Sequence, residues 1–210
     1  SEAHYYLGAV LNRLGDENGA IREFDLSTRL DSTFVLAWFD LGVVYYNKGM
    51  YDQAIGAYDN AIKLNKNQTE EERRVYAESF ANLAETYRQV DQYDKAIANY
   101  RNAVDLLNDP ELYSTYGFVL AREEKWNDSI KMLEKVVQIS PDANSYANLG
   151  WTHYQESQFH LGWNRLAKQK VSLNKAKVAL EKAIQTDPNF VASYVNLGMT
   201  LNDLGESKDA

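Results

Sequence analysis

Three histidines, His4, His153 and His160, are the side chains of this chain whose ordinary titration lies near neutrality. They are the first place to look for proton transfer or metal binding. None of them shows a ligand spacing such as His-x3-His, and the chain has no cysteine, so neither thiolate metal sites nor disulfides can form. The 11 glycines fall singly and never as a phosphate-cradling loop, and no serine stands in a nucleophile elbow. The 30 Asp and Glu residues supply carboxylates in quantity. A general acid and base nevertheless need a shared pocket. The pattern provides none, so the expectation is a non-enzymatic chain with no catalytic residues, no cofactor and no metal. What remains is recognition, and the residues that could perform it recur along the chain.

That recurrence begins with His4, Leu7, Gly8, Leu11, Gly15, Ala20 and Phe24. Thirty-four residues on, the same columns hold Trp38, Leu41, Gly42, Tyr45, Gly49, Ala54, Tyr58 and Ala61. The pattern returns at Phe80, Leu83, Ala84, Tyr87, Ala96, Tyr100 and Ala103, then at Tyr113, Tyr116, Gly117, Leu120, Ser129, Leu133, Val136 and Pro141. Tyr146, Leu149 and Gly150 open a fifth unit, and Tyr194, Leu197, Gly198, Leu201, Gly205 and Ala210 a sixth. Glycine inside a helix costs about 1 kcal/mol relative to alanine. Its repetition at Gly8, Gly42, Gly117, Gly150 and Gly198 therefore predicts close approach of a second helix, while Gly15, Gly49 and Gly205 mark turns. Tyr51, Tyr93 and Trp126 share another column, and Ala54, Ala96, Ser129 and Ala176 a small one, an alternation suited to ridges settling into grooves. Pro110, Pro141 and Pro188 lie at joins between units, where a missing N–H does no harm. His153 occupies a column that elsewhere holds Tyr, which predicts a packed histidine.

This order of large residue, Leu, Gly, aromatic, Gly, Ala, aromatic, Ala and Pro resembles the tetratricopeptide repeat, and the resemblance covers essentially the whole chain. It implies an all-α fold, a right-handed superhelical solenoid of antiparallel helix pairs. The expected single domain, 1–210, divides into repeats at about 1–34, 35–68, 69–109, 110–142 and 143–190, with a partial sixth at 191–210. In that family the first helix of each pair lines a concave groove, and ligand contacts come from its second, fifth, ninth, twelfth and thirteenth columns. Carried over, the resemblance nominates Phe39, Val43, Tyr46, Glu85, Phe118, Trp151 and Tyr154 as partner-binding residues. Phe118 and Trp151 stand out, because helix packing does not ask for bulky aromatics in the ninth column and aromatic anchors dominate interface energetics. Asn82, Asn148 and Asn196 share the sixth column, which resembles the asparagine ladder that holds an extended peptide backbone; the alternative is that asparagine is simply common there. The clamp for acidic chaperone tails is not matched, since its lysine and asparagine columns hold Tyr5 and Ala9 here. With Glu2, Glu78, Glu85 and Glu111 on or near the groove, a basic or hydrophobic segment is the expected partner.

The repeat is interrupted twice. Eight extra residues precede the third unit, where Thr69-Glu70-Glu71-Glu72 has the form of a capping box and predicts a first helix starting about two turns early. Fourteen more enter the fifth unit at 156–172. Leu166, Leu173 and Leu180 recur at seven, so the second helix is expected to extend backward, with Gly162 and the residues before it forming a longer connection after a first helix ending near Gln155. Arg165, Lys168, Lys170, Lys175 and Lys177 make this segment basic, either as a solvated face or as a docking surface for an acidic partner.

The formal net charge of −8 disfavours nucleic acid as a partner. No stretch approaches the ~20 apolar residues of a membrane span, and no basic-then-apolar leader is visible. Lack of cysteine suits the cytosol and the bacterial periplasm alike, so the compartment stays open. Asn67-Gln68-Thr69 and Asn127-Asp128-Ser129 match the glycosylation tripeptide, a pattern common by chance. The chain opens on Ser1, which leaves room for a removed upstream segment. A sixth unit without its second helix would leave Val195, Met199 and Leu201 partly uncovered, so the chain is expected to continue or to be capped by another chain. Two other readings stand beside the adaptor: the targeting or regulatory region of a larger enzyme, and a scaffold that self-associates through its open C-terminal end.

Overall fold

The computed structural model describes residues 1–66 and 68–206. Asn67 of the first glycosylation tripeptide, and residues 207–210 with the last small column at Ala210, lie outside the described residues. Every element among those described is a helix: α1 (Glu2–Arg13), α2 (Glu17–Leu30), α3 (Val35–Asn47), α4 (Tyr51–Leu64), α5 (Glu70–Gln89), α6 (Tyr93–Val104), α7 (Pro110–Arg122), α8 (Trp126–Ile139), α9 (Ala143–Gly162), α10 (Leu166–Thr186) and α11 (Val191–Leu204). The chain forms two compact units, Ser1–Asn108 with α1 to α6 and Asp109–Ala210 with α7 to α11. Within each, the first and second helix of a repeat pair antiparallel across a three-residue turn.

The pairing rests on one column set against another. Phe24, Tyr58, Tyr100, Leu133 and Leu180 of the second helices are all at most 1% exposed. Four of them, Phe24, Tyr58, Leu133 and Leu180, sit on the glycine column of the helix before, and in the third pair that column holds buried Ala84. A Cβ added to Gly8 would come 2.8 Å from the Phe24 ring, and one on Gly42 would come 2.7 Å from that of Tyr58. Gly117 and Gly150 meet Leu133 and Leu180 in the same way, at 3.1 and 2.7 Å. Gly198 departs from the expectation, because nothing lies within 4 Å of its Cβ position: among the described residues no second helix follows α11 to press against it. Ala20, Ala54, Ala96, Ser129 and Ala176 are fully buried. Ser129 brings a hydroxyl into this column and donates it to the Gly117 carbonyl at 2.7 Å, which satisfies the one polar atom that the column contains.

Each of the five described turns from a first to a second helix places one residue in the left-handed region, and so does the end of α11. Gly15, Gly49 and Gly205 take φ of 83°, 70° and 78°, and Asp91, Glu124 and Asn164 occupy the same role at 57°, 56° and 54°. Left-handed backbone costs a non-glycine residue about 1–2 kcal/mol, with Asn and Asp the mildest cases. Caps follow the sequence: Asp16 accepts from the Gly19 N–H, Asp109 from Glu111 N–H ahead of Pro110 at the first turn, and Asp142 forms a capping box with Ser145.

The eight-residue insertion behaves as expected. Thr69 and Glu72 complete a capping box and α5 runs for 20 residues. The fourteen-residue insertion does not. Residues 156–162 are helical, not a connection: α9 runs through Gly162, and only Trp163, Asn164 and Arg165 separate it from α10. Seven residues have been added to each arm. A heptad falls only ~20° short of two full turns, so both helices lengthen by about two turns while keeping the same faces together, and the ordinary turn is rebuilt at Asn164. Gly162 at the last helical position costs little, whereas a loop there would have given up the packing of Ser157, which is fully buried.

Two substitutions test this account by urea unfolding. Gly42→Ala should destabilise by about 1–3 kcal/mol through overpacking against buried Tyr58, and Glu124→Gly should stabilise by about 1 kcal/mol through relief of left-handed strain. A neutral Gly42→Ala would remove close approach as the reason for the glycine column.

Candidate functional site

The columns nominated for binding lie on α1, α3 and α5 in the first unit and on α7, α9 and α11 in the second. In the first unit, Phe39, Val43 and Tyr46 are half-buried and lean on the core of Ala54, Tyr58 and Leu83. The Phe39 and Tyr58 ring centroids are 6.1 Å apart. These residues are therefore partly consumed by packing and present edges, not whole side chains, to the surface.

Glu85 is the centre of a polar network on the same face. Arg88 donates to it from Nε at 2.7 Å, Tyr100 at 2.8 Å, Gln89 at 2.8 Å and Tyr46 at 3.2 Å. Half-burial alone would raise its pKa, but the hydrogen bonds from Arg88, Tyr100 and Gln89, with the charge of Arg88, outweigh that and hold the carboxyl down at about 2. Glu78 likewise pairs with Arg74 at 3.3 Å. Two of the carboxylates expected to repel an acidic ligand are thus matched locally by cations four or fewer residues away. Asp40 is different. Burial pushes its carboxyl up, the Tyr5 hydroxyl draws it back, and Glu78 pushes it up again. Asn82 faces the Tyr58 hydroxyl, which commits part of its amide.

In the second unit the nominated residues are freer. Phe118 is 42% exposed. With Ser114, Asn144 and Asn148 it lines a cleft of about 400 Å³ between α7 and α9. Trp151 stacks on Tyr154, with ring centroids 5.4 Å apart and planes at 21°. Asn196 is half-buried on α11, where Val195 and Met199 are exposed and Leu201 is buried. Leu201 departs from the expectation because its column faces back toward the preceding repeat. The structure thus brings Phe118 and Asn148 into one cleft and Trp151 and Tyr154 into one stack.

His153 is 4% exposed, as a packed residue should be. It belongs to a cluster that the residue pattern did not show: Glu156 accepts from the Ser172 hydroxyl at 2.8 Å, and His153 Nδ1 lies 3.4 Å from it. Burial works against the Glu156 charge, but His153 and Ser172 together pull its pKa below the ordinary value. His4 pairs with Glu23 at 2.7 Å across α1 and α2. Sequence reasoning also missed a groove of about 900 Å³ formed by α8, α9 and α10 and lined by Tyr146, Leu149, Val178 and Ala179. Its signal was available in Val178, an apolar residue outside the packing columns. Among the described residues no helix is long and apolar enough to cross a membrane.

These arrangements suit recognition through aromatic edges, amides and a few charges. Comparison with known proteins identifies the repeat. Family models for the tetratricopeptide repeat match residues 32–109 and 179–210, and one for YpiA-like, C-terminal tetratricopeptide repeats matches 80–143. Among curated proteins, the TPR repeat-containing protein MJ1428 of Methanocaldococcus jannaschii is 24% identical over 136 residues, 64% of this chain and 24% of that protein. Protein O-mannosyl-transferase TMTC1 of Homo sapiens is 23% identical over 159 residues, 75% of this chain and 16% of that protein. The chain therefore spans a quarter or less of the length of these relatives. Among solved structures, YrrB, described as a TPR protein with an unusual peptide-binding site, superposes with a TM-score of 0.68 at 22% identity, covering 91% of this chain and 89% of its own. MamA superposes with a TM-score of 0.66 at 21% identity, covering 89% and 94%. At these identities the likeness speaks for the fold alone.

The Glu85 network gives a pH prediction. A carboxyl whose folded pKa is depressed to about 2 adds stability that is complete above about pH 4.5 and is lost as pH falls toward 2. Glu85→Gln should flatten the stability profile across that window while the parent falls steeply, as read by urea midpoints from pH 5 to pH 2. Parallel profiles would mean that the network does not hold Glu85 ionised.

Proposed function

We propose that this chain, which belongs to the tetratricopeptide repeat family, is a non-enzymatic scaffold whose repeats, taken over 1–210 as one binding domain, hold a helix or extended segment of a partner protein on the face built by the first helices. The observation that carries the reading is Phe118, a large aromatic ring that no packing column requires, 42% exposed beside Asn148 in a cleft of the second unit. Trp151 and Tyr154 supply a second aromatic surface. In the first unit Phe39, Val43, Tyr46 and Glu85 act mainly as walls, and Asn82, Asn148 and Asn196 offer amides that donate and accept at once to a peptide backbone. A peptide-binding site in YrrB supports this reading by analogy of fold.

The partner segment should be basic or hydrophobic. Asp40 supports this: it keeps a half-buried carboxylate without a cation partner among the described residues, and a lysine or arginine from outside would relieve it. A second reading, the regulatory or targeting region of a larger enzyme, is supported by the match to a relative named as a transferase, of which the chain spans 16%. The full reading frame decides between the two.

The test is affinity capture from the source cell's extract with the parent and with Phe118→Ala/Trp151→Ala, both checked for helicity and melting. Each aromatic anchor carries about 2 kcal/mol when truncated, so the double variant should capture its partner at least tenfold more weakly. Unchanged capture would remove the first-helix face as the site. Asp40→Asn should raise stability at pH 7 and weaken capture of a basic segment; a variant that binds equally well would leave the basic preference without support.

A further inference from the structure

The two added heptads lengthen α9 and α10 by about 10 Å each at 1.5 Å per residue, and the surface that they create has a chemistry unlike the rest of the chain. No Asp or Glu occurs between Glu156 and Glu181, although the chain carries 30 among 210 residues. Over the same stretch lie five of its cations. Lys177 is spent on Glu206 at 2.6 Å. Arg165, Lys168 and Lys175 are exposed and have no carboxylate partner among the described residues.

Their register matters. Arg165, Lys168, Ser172 and Lys175 follow one another at i, i+3, i+7 and i+10, which is one stripe of a helix. The stripe borders a recess of about 540 Å³ between the start of α8 and the hairpin, walled by Trp126 and Phe159, whose rings are 5.9 Å apart. Glu156, the carboxylate at this recess, is occupied by Ser172 and His153. Large apolar side chains flank the stripe: Leu161, Trp163, Leu166 and Val171 are between 46% and 65% exposed. Arg165 is the N-cap of α10, which has no side-chain cap and no acidic residue in its first turn, so the positive end of the helix adds to the cations.

We propose that this stripe and recess are a second docking site, for an acidic, partly apolar segment of a partner protein. Its charge preference is opposite to that of the first-helix face, and it does not depend on that face being a binding site. Charge complementarity decides the occupant: a cationic stripe on a chain of net charge −8 selects for carboxylates. A linear segment lying along α10 meets Arg165, Lys168 and Lys175 in turn while placing apolar side chains against Trp126 and Phe159. An anionic bilayer fits less well. Lys175 lies nine residues down α10 from Leu166, about 13 Å below the apolar tip, and it borders a recess that a flat surface cannot enter.

The experiment uses a fluorescein-labelled 14-residue peptide with Glu at i, i+3, i+7 and i+10 and Leu at intervening positions, and its twin with Gln at every Glu. Binding to the whole chain is followed by anisotropy at low and physiological salt. The Glu peptide should bind at least tenfold more tightly than its twin, and Arg165→Glu/Lys168→Glu should weaken it at least tenfold without a change in melting temperature. Phe118→Ala/Trp151→Ala should leave it unchanged, which separates this site from the first-helix face. Failure of the Glu peptide to bind, equal binding of the two peptides, or indifference to charge reversal would each overturn the proposal. So would co-sedimentation with phosphatidylserine vesicles that the same charge reversal abolishes in the absence of peptide binding.

Discussion

The packing of a bulky residue from one helix onto a glycine of the helix before it sets the distance within four of the five described pairs, and most other features follow from that distance. With Gly8 beneath Phe24 and Gly42 beneath Tyr58, the backbones approach closely enough that a methyl group would fall within 3 Å of a ring. Small residues at Ala20, Ala54 and Ala96 are then obligatory, because the approach leaves no volume for more. The three-residue turns follow as well. A closely spaced antiparallel pair must reverse over a short distance, and a left-handed residue accomplishes that reversal in each pair, at glycine where available and at Asp91, Glu124 and Asn164 where not.

The same constraint divides the side chains between structure and recognition. Columns that face the partner helix are fixed in size, so individuality lies in the positions outside them and in the places where length changes. On the first-helix face of the first unit, Glu85 illustrates how little of that freedom is left. Four side chains from three helices converge on its carboxylate, so it is an anion matched within the fold. The second unit keeps Phe118 and Trp151 out of such networks.

How far the sequence discloses this depends on whether the signal is local. The repeat columns, the turns and the capping box at Thr69 are local, and each is legible because one residue type has one physical use there. The pairing of Glu85 with Arg88 was legible too, being an i, i+3 pair on one helix. That Glu85 is also held by Tyr46 and Tyr100, from two other helices, is not legible from its column alone. The hairpin is hard to read for another reason. Gly162 and polar residues at 156–158 suggest a loop, yet an insertion of fourteen is two heptads, and two heptads preserve the register of both arms at once. The buried position of Ser157, set by packing between α9 and α10, overrides local propensity. Contacts such as Glu156 with Ser172 require knowing that both arms lengthened, and no single segment contains that information.

Length change by heptads also explains how a chemically distinct surface can arise without disturbing the array. Because each added seven residues returns nearly to the same angle, the extension projects along the axis of its own pair and the faces that pack on α8 and α11 are retained. New side chains therefore appear only at the tip and along the lengthened stripe, where no packing column dictates their type. The absence of carboxylates from 157 to 180 is a composition that the packing does not require. Solubility does not require it either, since alternating charges would solvate the extension equally well. A carboxylate-free stripe with exposed leucine, valine and tryptophan beside it is an association-prone surface unless something covers it. A partner that brings carboxylates and apolar groups in the same order covers it.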